Sequence, residues 1–257
     1  MNGNQNFFIC LFRVKIIPML FRIAVILMLG VVTCGDVFGT EDLPELDSAS
    51  FSNSYDGTVA LEKADPAWDL TEFGVGNKWE VVDGAFHFRS AAEDDGANYA
   101  FWVLPDVKWA NFPRNKGFSL EVAMKPDAGK CIGINLAAIE EVGAGYAVLK
   151  VGARSVEWGQ GDGKRTDVLD SENNGDDFHV FRIVKLPFLG DGPGLFNVYR
   201  DGKLIGEELG GNCVMQNIPA NRLYIGDIGT WDSAGSISFI RWDSSGETAP
   251  RGSWQDA

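Results

Sequence analysis

Apolar and polar residues alternate in short runs along most of this chain, as in "FSLEVAMK" (118–125), "FHVFRIVKL" (178–186) and "SISFIRW" (236–242). A period of two sends successive side chains to opposite faces, which is the signature of a β-strand. Comparable runs occur at "NYAFWVL" (98–104), "CIGINLAAI" (131–139), "YAVLKV" (146–151), "RSVEW" (154–158) and "RLYIGDI" (222–228). Beyond residue 40 no stretch repeats apolar residues at helical spacing for three turns without Gly or Pro intervening. Gly, Pro, Asn and Asp punctuate about a dozen strands, the arithmetic of an all-β, two-layer sandwich or jelly roll.

Two hairpins fix local register. In "FNVYRDGKLIGEEL" (196–209) and "KWEVVDGAFHFRS" (78–90), an Asp-Gly pair suits the centre of a type I′ turn, where both residues need positive φ. A two-residue turn at Asp201-Gly202 sets Tyr199 opposite Leu204 and Val198 opposite Ile205, so the ribbon is expected to be covered on both faces. Arg200 and Lys203 flank the tip, and this like-charged pair is expected to be screened by water.

The first 39 residues differ from the rest. Arg13, Lys15 and Arg22 precede the apolar run "IAVILMLGVVT" (23–33), and "VFG" offers a cut at Gly39/Thr40; we read 1–39 as a signal peptide. Met19 would be a more ordinary start for such a signal, and Cys34 stands where a lipid anchor would attach. The expected address is secreted, periplasmic or cell-surface, with no membrane span in the mature chain, because Arg22 interrupts the apolar stretch. Residues 40–55 read as an acidic N-terminal linker and 56–250 as one sandwich domain.

The full chain carries a formal charge of −14, and loss of 1–39 leaves 19 Lys and Arg against 35 Asp and Glu, or −16. So acidic a surface would repel a phosphate backbone, so no nucleic-acid partner is expected. Cys131 and Cys213 outlast the cut; an oxidising compartment allows them a disulfide, and two separately buried thiols are the alternative.

The order "WEVVDGAF", "GFSLEVAMK", "IGINL", "FHVFRIVK", "FNVYRDGKLIG" and "GSISFIRWD" resembles the concanavalin A-like lectin/glucanase superfamily, in particular its laminin-G-like jelly-roll members, over roughly residues 56–245. The resemblance implies a two-sheet antiparallel jelly-roll sandwich, in which the Asp-Gly hairpin is scaffold. It also implies a calcium site where the termini meet, between Asp56 and Asp243. Glucanases of that superfamily carry Glu-x-Asp-x-Glu on one strand, and this motif is absent here.

Other chemistry is sparse. Glu157 and Asp162 are the candidate carboxylates if a catalytic pair converges from different strands. "GQGDGKRT" is no phosphate loop, since Trp158 and Arg165 stand at the wrong places, and "WDSAG" lacks the glycine of a nucleophile elbow. His87 and His179 lie inside strand patterns. Asp170, Glu172, Asn174 and Asp176 alternate before and after Gly175 and imitate the opening of a calcium loop, but Phe181 stands where the closing glutamate belongs. The other reading of that stretch is an acidic solvent-exposed loop between strands.

Of eight tryptophans, Trp79, Trp102 and Trp242 lie within strands and are expected in the core. Trp109 and Trp231 lie in loops and Trp158 closes a strand, so these three are the candidates to stack on a sugar, with Asn135, Arg154 and Gln160 as polar partners. The expected function is that of a secreted, non-catalytic domain binding carbohydrate or another extracellular ligand. A glycoside hydrolase of the same fold acting on poly- or oligosaccharides is the first alternative, and an adhesion module contacting protein is the second.

Overall fold

The computed structural model describes residues 51, 53–90, 99–104, 117–137, 146–159, 166–186, 195–210, 222–227 and 233–243. All belong to one unit, Asp42–Ala257. Among the described residues fifteen antiparallel strands build two sheets, as the alternation predicts. One sheet runs β13 (Lys203–Gly210), β12 (Leu195–Arg200), β11 (His179–Lys185), β6 (Phe118–Pro126), β15 (Ala234–Trp242), β4 (Ala85–Arg89) and β3 (Lys78–Val82), with β1 (Asn53–Tyr55) also on β15. The second runs β10 (Thr166–Asp170), β9 (Ser155–Gly159), β8 (Tyr146–Gly152), β7 (Cys131–Ala137), β14 (Arg222–Gly226), β5 (Tyr99–Leu104) and β2 (Asp69–Phe73). This is an antiparallel jelly-roll sandwich. The one helical element described is a 3-10 turn, Leu61–Lys63, and no described helix is long and apolar enough to cross a membrane.

Between the sheets the inward positions of both layers interdigitate. Phe86, Phe88, Leu120, Val122, Ile132, Ile134, Leu149, Val156, Phe181 and Ile240 are all fully buried there. Trp102 is boxed edge-on by Trp79, Phe86 and Phe88, with ring centroids 4.8 to 5.7 Å apart. Edge-to-face contact suits the ring quadrupoles, so these aromatics fill volume and orient one another.

Both Asp-Gly turns take the expected conformation, with φ of 51° and 76° at Asp83-Gly84 and 47° and 78° at Asp201-Gly202. Three expectations change. Tyr199 does face Leu204, but Val198 faces Gly206 and not Ile205, because an irregularity shifts the register by one residue. Val198 and Tyr199 are nonetheless buried on opposite faces. Arg200 is not screened by water: it is 8 % exposed, and its guanidinium lies 2.5 Å from Glu172 while donating at 2.7 Å to the Asn173 carbonyl. Lys203 meets the same Glu172 at 3.6 Å. Lastly, the end of the supposed linker is strand β1, and Tyr55 is buried with its hydroxyl donating to the Val59 carbonyl at 2.6 Å.

Candidate functional site

Strand parity decides what the seven-stranded sheet presents to the outside. On β7, Ile132, Ile134 and Leu136 point into the core, so Cys131, Gly133 and Asn135 face outward. Residues directly opposite on neighbouring antiparallel strands share a face. Gly133 lies opposite Lys150 on β8 and Gly226 on β14; Lys150 lies opposite Glu157 on β9; Gly226 lies opposite Phe101 on β5. One row across the outer face therefore reads Glu157, Lys150, Gly133, Gly226, Phe101. Its two glycines, both buried, put no side chain between a polar wall and an aromatic wall. The walls stand three strand spacings apart, roughly 14 Å.

The aromatic wall continues along the sheet. Phe73 stacks on Tyr99 at 5.8 Å and 24°, Tyr99 on Phe101 at 5.6 Å and 22°, and Phe101 meets Tyr224 edge-on at 5.7 Å. Phe73 is 56 % exposed and Tyr224 is buried, so the row rises from the sheet surface towards solvent at its edge. On the polar side Ser155 donates to Glu157 at 3.0 Å, and Lys150 lies 3.6 Å from the same carboxylate. Asn135, opposite Tyr224, is 8 % exposed, and its Oδ1 is buried with no hydrogen-bond partner. An orphaned buried acceptor has lost its water without recompense, so a donor reaching it would be favoured.

At the Cys131 end of this face a cleft of about 680 Å³ opens between two turns and a loop. The β6–β7 turn supplies Ala128, Gly129 and Lys130, the β8–β9 turn supplies Ala153 and Arg154, and Asn173 and Gly175 complete the rim. Backbone bonds tie the turns together: Lys130 N–H donates to Asp127 O at 2.9 Å and Ala153 N–H to Lys130 O at 3.2 Å. Asn174 is fully buried beside them, its backbone N–H bonded to Ala153 O and its side-chain amide to Gly152 O, both at 2.9 Å. Cys131 lines the cleft as a buried thiol with Sγ 3.6 Å from Ser233 Oγ. Burial pushes this thiol above its ordinary value, and Ser233 and Lys150 only partly oppose that.

The predicted site residues divide. Asn135 and Glu157 do share the outer face, and Arg154 lines the cleft at its end. Trp158 does not face a ligand: it points inward from β9, is fully buried, packs at 5.3 Å on Phe196 and donates its indole N–H to Gly210 O at 3.1 Å. Trp109, Trp231, Gln160, Asp162 and Cys213 lie outside the described residues.

The calcium-like stretch is corrected too. Asp170 ends strand β10 and accepts its own following backbone N–H groups, Glu172 pairs with Arg200, Asn174 is the buried brace of the cleft, and Asp176 pairs with His179 at 3.1 Å. Asp170 and Glu172 turn to Arg200 and Asp176 to His179, while the Oδ1 of Asn174 is buried without a hydrogen-bond partner, so the four oxygens do not converge. Among the described residues no group of three or more His, Cys, Asp or Glu is placed to hold a metal. Nor do Asp56 and Asp243 meet. The β1–β15 register pairs Tyr55 with Ile240 and Asn53 with Trp242, which sets the two aspartates four residues apart along the ribbon, roughly 13 Å.

No protein-family model matches the chain, and no curated protein matches it in sequence. Solved structures do. A sialidase from Trypanosoma rangeli, held as a covalent intermediate with 2,3-difluorosialic acid, aligns at a TM-score of 0.52 and 16 % identity over 79 % of this chain and 32 % of its own. A carbohydrate esterase from the Shiga toxin-encoding bacteriophage phi24B aligns at 0.51 and 13 % identity, over 74 % of this chain and 95 % of its own. What they share with this chain is the fold. The sequence reading missed Lys150, Phe101, Tyr99, Phe73 and the Gly133/Gly226 pair. Parity alone put each on one face of its strand, but the order of strands that lines them up was not in the pattern.

Proposed function

We propose that this chain is an exported, non-catalytic carbohydrate-binding module of the laminin-G-like kind, and that it lays a saccharide on the outer face of its seven-stranded sheet. The observation that carries this is the row Lys150, Gly133, Gly226, Phe101: an aromatic wall for the apolar face of a pyranose and polar groups opposite for its hydroxyls, with no side chain between them. The buried, unpartnered Oδ1 of Asn135 offers an acceptor beside it. Solved structures that share the fold include a carbohydrate esterase and a sialidase, which is in keeping with this reading.

The non-catalytic part rests on the carboxylates. Glu157 is occupied by Ser155 and Lys150, and the other outward carboxylate described on this sheet, Asp69 on β2, lies five strand spacings away, on the order of 20 Å. A glycosidase pair needs about 5 to 9.5 Å. A glycan array with polysaccharide pull-down is the test. Phe101→Ala is expected to weaken the bound saccharide by about three- to tenfold while the β-sheet circular dichroism stays intact. Absence of binding to every saccharide removes the proposal, and turnover of a polysaccharide that is lost in Glu157→Gln replaces it with a hydrolase.

A further inference from the structure

The row beside the glycine row faces outward and is nonetheless buried. Directly opposite one another stand Val148 on β8, Asn135 on β7, Tyr224 on β14 and Val103 on β5. All four are buried, and the three hydrophobic residues among them lie outside the core cluster between the sheets. Asn135 is the one side-chain amide of the row, and its Oδ1 is a buried acceptor with no hydrogen-bond partner. Its cross-strand neighbours are the aliphatic Val148 on one side and the aromatic Tyr224 on the other. Tyr224 in turn meets Phe101 edge-on at 5.7 Å, so the aromatic wall of the saccharide row runs up to this acceptor. Along β7 the step from Gly133 to Asn135 is roughly 7 Å, within reach of a substituent on a bound sugar ring.

The flanks of Oδ1 decide which donor suits it. A hydroxyl that gives its proton to Oδ1 keeps two lone pairs that Val148 cannot answer. A secondary amide brings an N–H and no further acceptor on that nitrogen. Its planar trans geometry sets the methyl of an acetamido group on the same side as the N–H and the carbonyl on the opposite side. One group therefore meets both features, the N–H at Oδ1 and the methyl at Val148, with its carbonyl turned away from the apolar flank. We propose that Asn135 and Val148 form an acetamido pocket of the saccharide face, so that the preferred ligand is an N-acetylhexosamine oligosaccharide. This rests on the saccharide reading above and narrows it. Phe101 then carries the ring, and Asn135 is the contact that reads the substituent.

The test sets the protein against matched oligosaccharides of the gluco and galacto series, each pair differing only in an acetamido group or a hydroxyl on the second carbon, with affinities from calorimetry. Expected is about tenfold tighter binding of the acetamido member. Asn135→Leu should bring that ratio close to one while the affinity for the hydroxyl member stays. Because the same change removes a buried acceptor that has no partner, its urea midpoint should hold or rise. Asn135→Val, smaller and suited to a strand, is the second variant should leucine not fit. Equal affinity within every pair, a preference that survives both variants, or a lowered midpoint in both overturns the acetamido pocket. If hydroxyl members bind and lose affinity in Phe101→Ala, the saccharide reading stands without the pocket. If no pair binds while another saccharide on the array does, the pocket falls alone; if no saccharide binds, both fall together.

Discussion

Trp158 and Asp176 show how a side chain's job depends on neighbours that its own sequence context does not name. Trp158 closes a strand before a glycine-rich stretch and reads as a stacking surface, but β9 turns it inward against Phe196. Truncation there leaves a cavity, so Trp158→Ala is expected to cost about 3 to 5 kcal/mol of stability, measured by urea denaturation. A stability unchanged within about 0.5 kcal/mol would return the residue to the ligand candidates. Asp176 is held below its ordinary value chiefly by a hydrogen bond from His179. A carboxyl depressed in the folded state stabilises it above the unfolded pKa, about 3.9, and loses that contribution as pH falls through the folded value. The melting temperatures of the protein and of Asp176→Asn should therefore differ near pH 6 and converge as the pH falls below the unfolded value. A constant gap across that window would show that ionisation of Asp176 is not involved.

Among the elements, the strands that escaped the hydrophobic pattern are β1, β2 and β10. Two of these are the outer edges of the seven-stranded sheet, and β1 is a three-residue strand added to β15. Edge strands pair on one side only and carry polar residues that keep them from pairing further, as "DLTEF" and "TDVLD" do. Their alternation is weak for that reason. Glycines divide by environment in the same way. Gly84 and Gly226 both have positive φ, at 76° and 124°, but a Cβ on Gly84 meets nothing within 4 Å, whereas one on Gly226 would sit 2.7 Å from Ala100 O. Gly84→Ala should then cost only the backbone strain, about 1 kcal/mol. Gly226→Ala should cost more than that, on the order of 2 to 3 kcal/mol, and flatten the β5–β14 approach. Equal costs in a denaturant titration would mean that the close approach at Gly226 relaxes.

For the molecule as a whole, a buried polar knot ties the two sheets at the end where the cleft opens. Ser90, just past β4, donates from Oγ to Asp227 at 2.7 Å and receives the Ser233 N–H at 2.9 Å; Asp227 follows β14, and Ser233 precedes β15 and touches Cys131 of β7. Ser90, Asp227 and Ser233 are all fully buried. Asp227→Ala would remove the shorter acceptor of the buried Ser90 hydroxyl and leave it only the Ser233 carbonyl at 3.1 Å, so a loss of about 1 to 3 kcal/mol is expected from urea denaturation. A loss under about 0.5 kcal/mol would mean that water or a neighbour replaces the carboxylate.

Period-two alternation and the Asp-Gly turns were enough to determine an all-β sandwich, both hairpin tips and much of the core, because burial of one face is written in every second residue and positive φ in the turn pair. Arg200 and Trp158 mark where that reading stopped. A strand's pattern tells which residues share its face; it is silent on which strand comes next, what lies across the sandwich and which carboxylate meets which cation. The glycine strip between Lys150 and Phe101 exists only because β8, β7, β14 and β5, from distant parts of the chain, lie side by side in one register. That order is set by packing the whole core at once, a long-range sum that no local stretch contains.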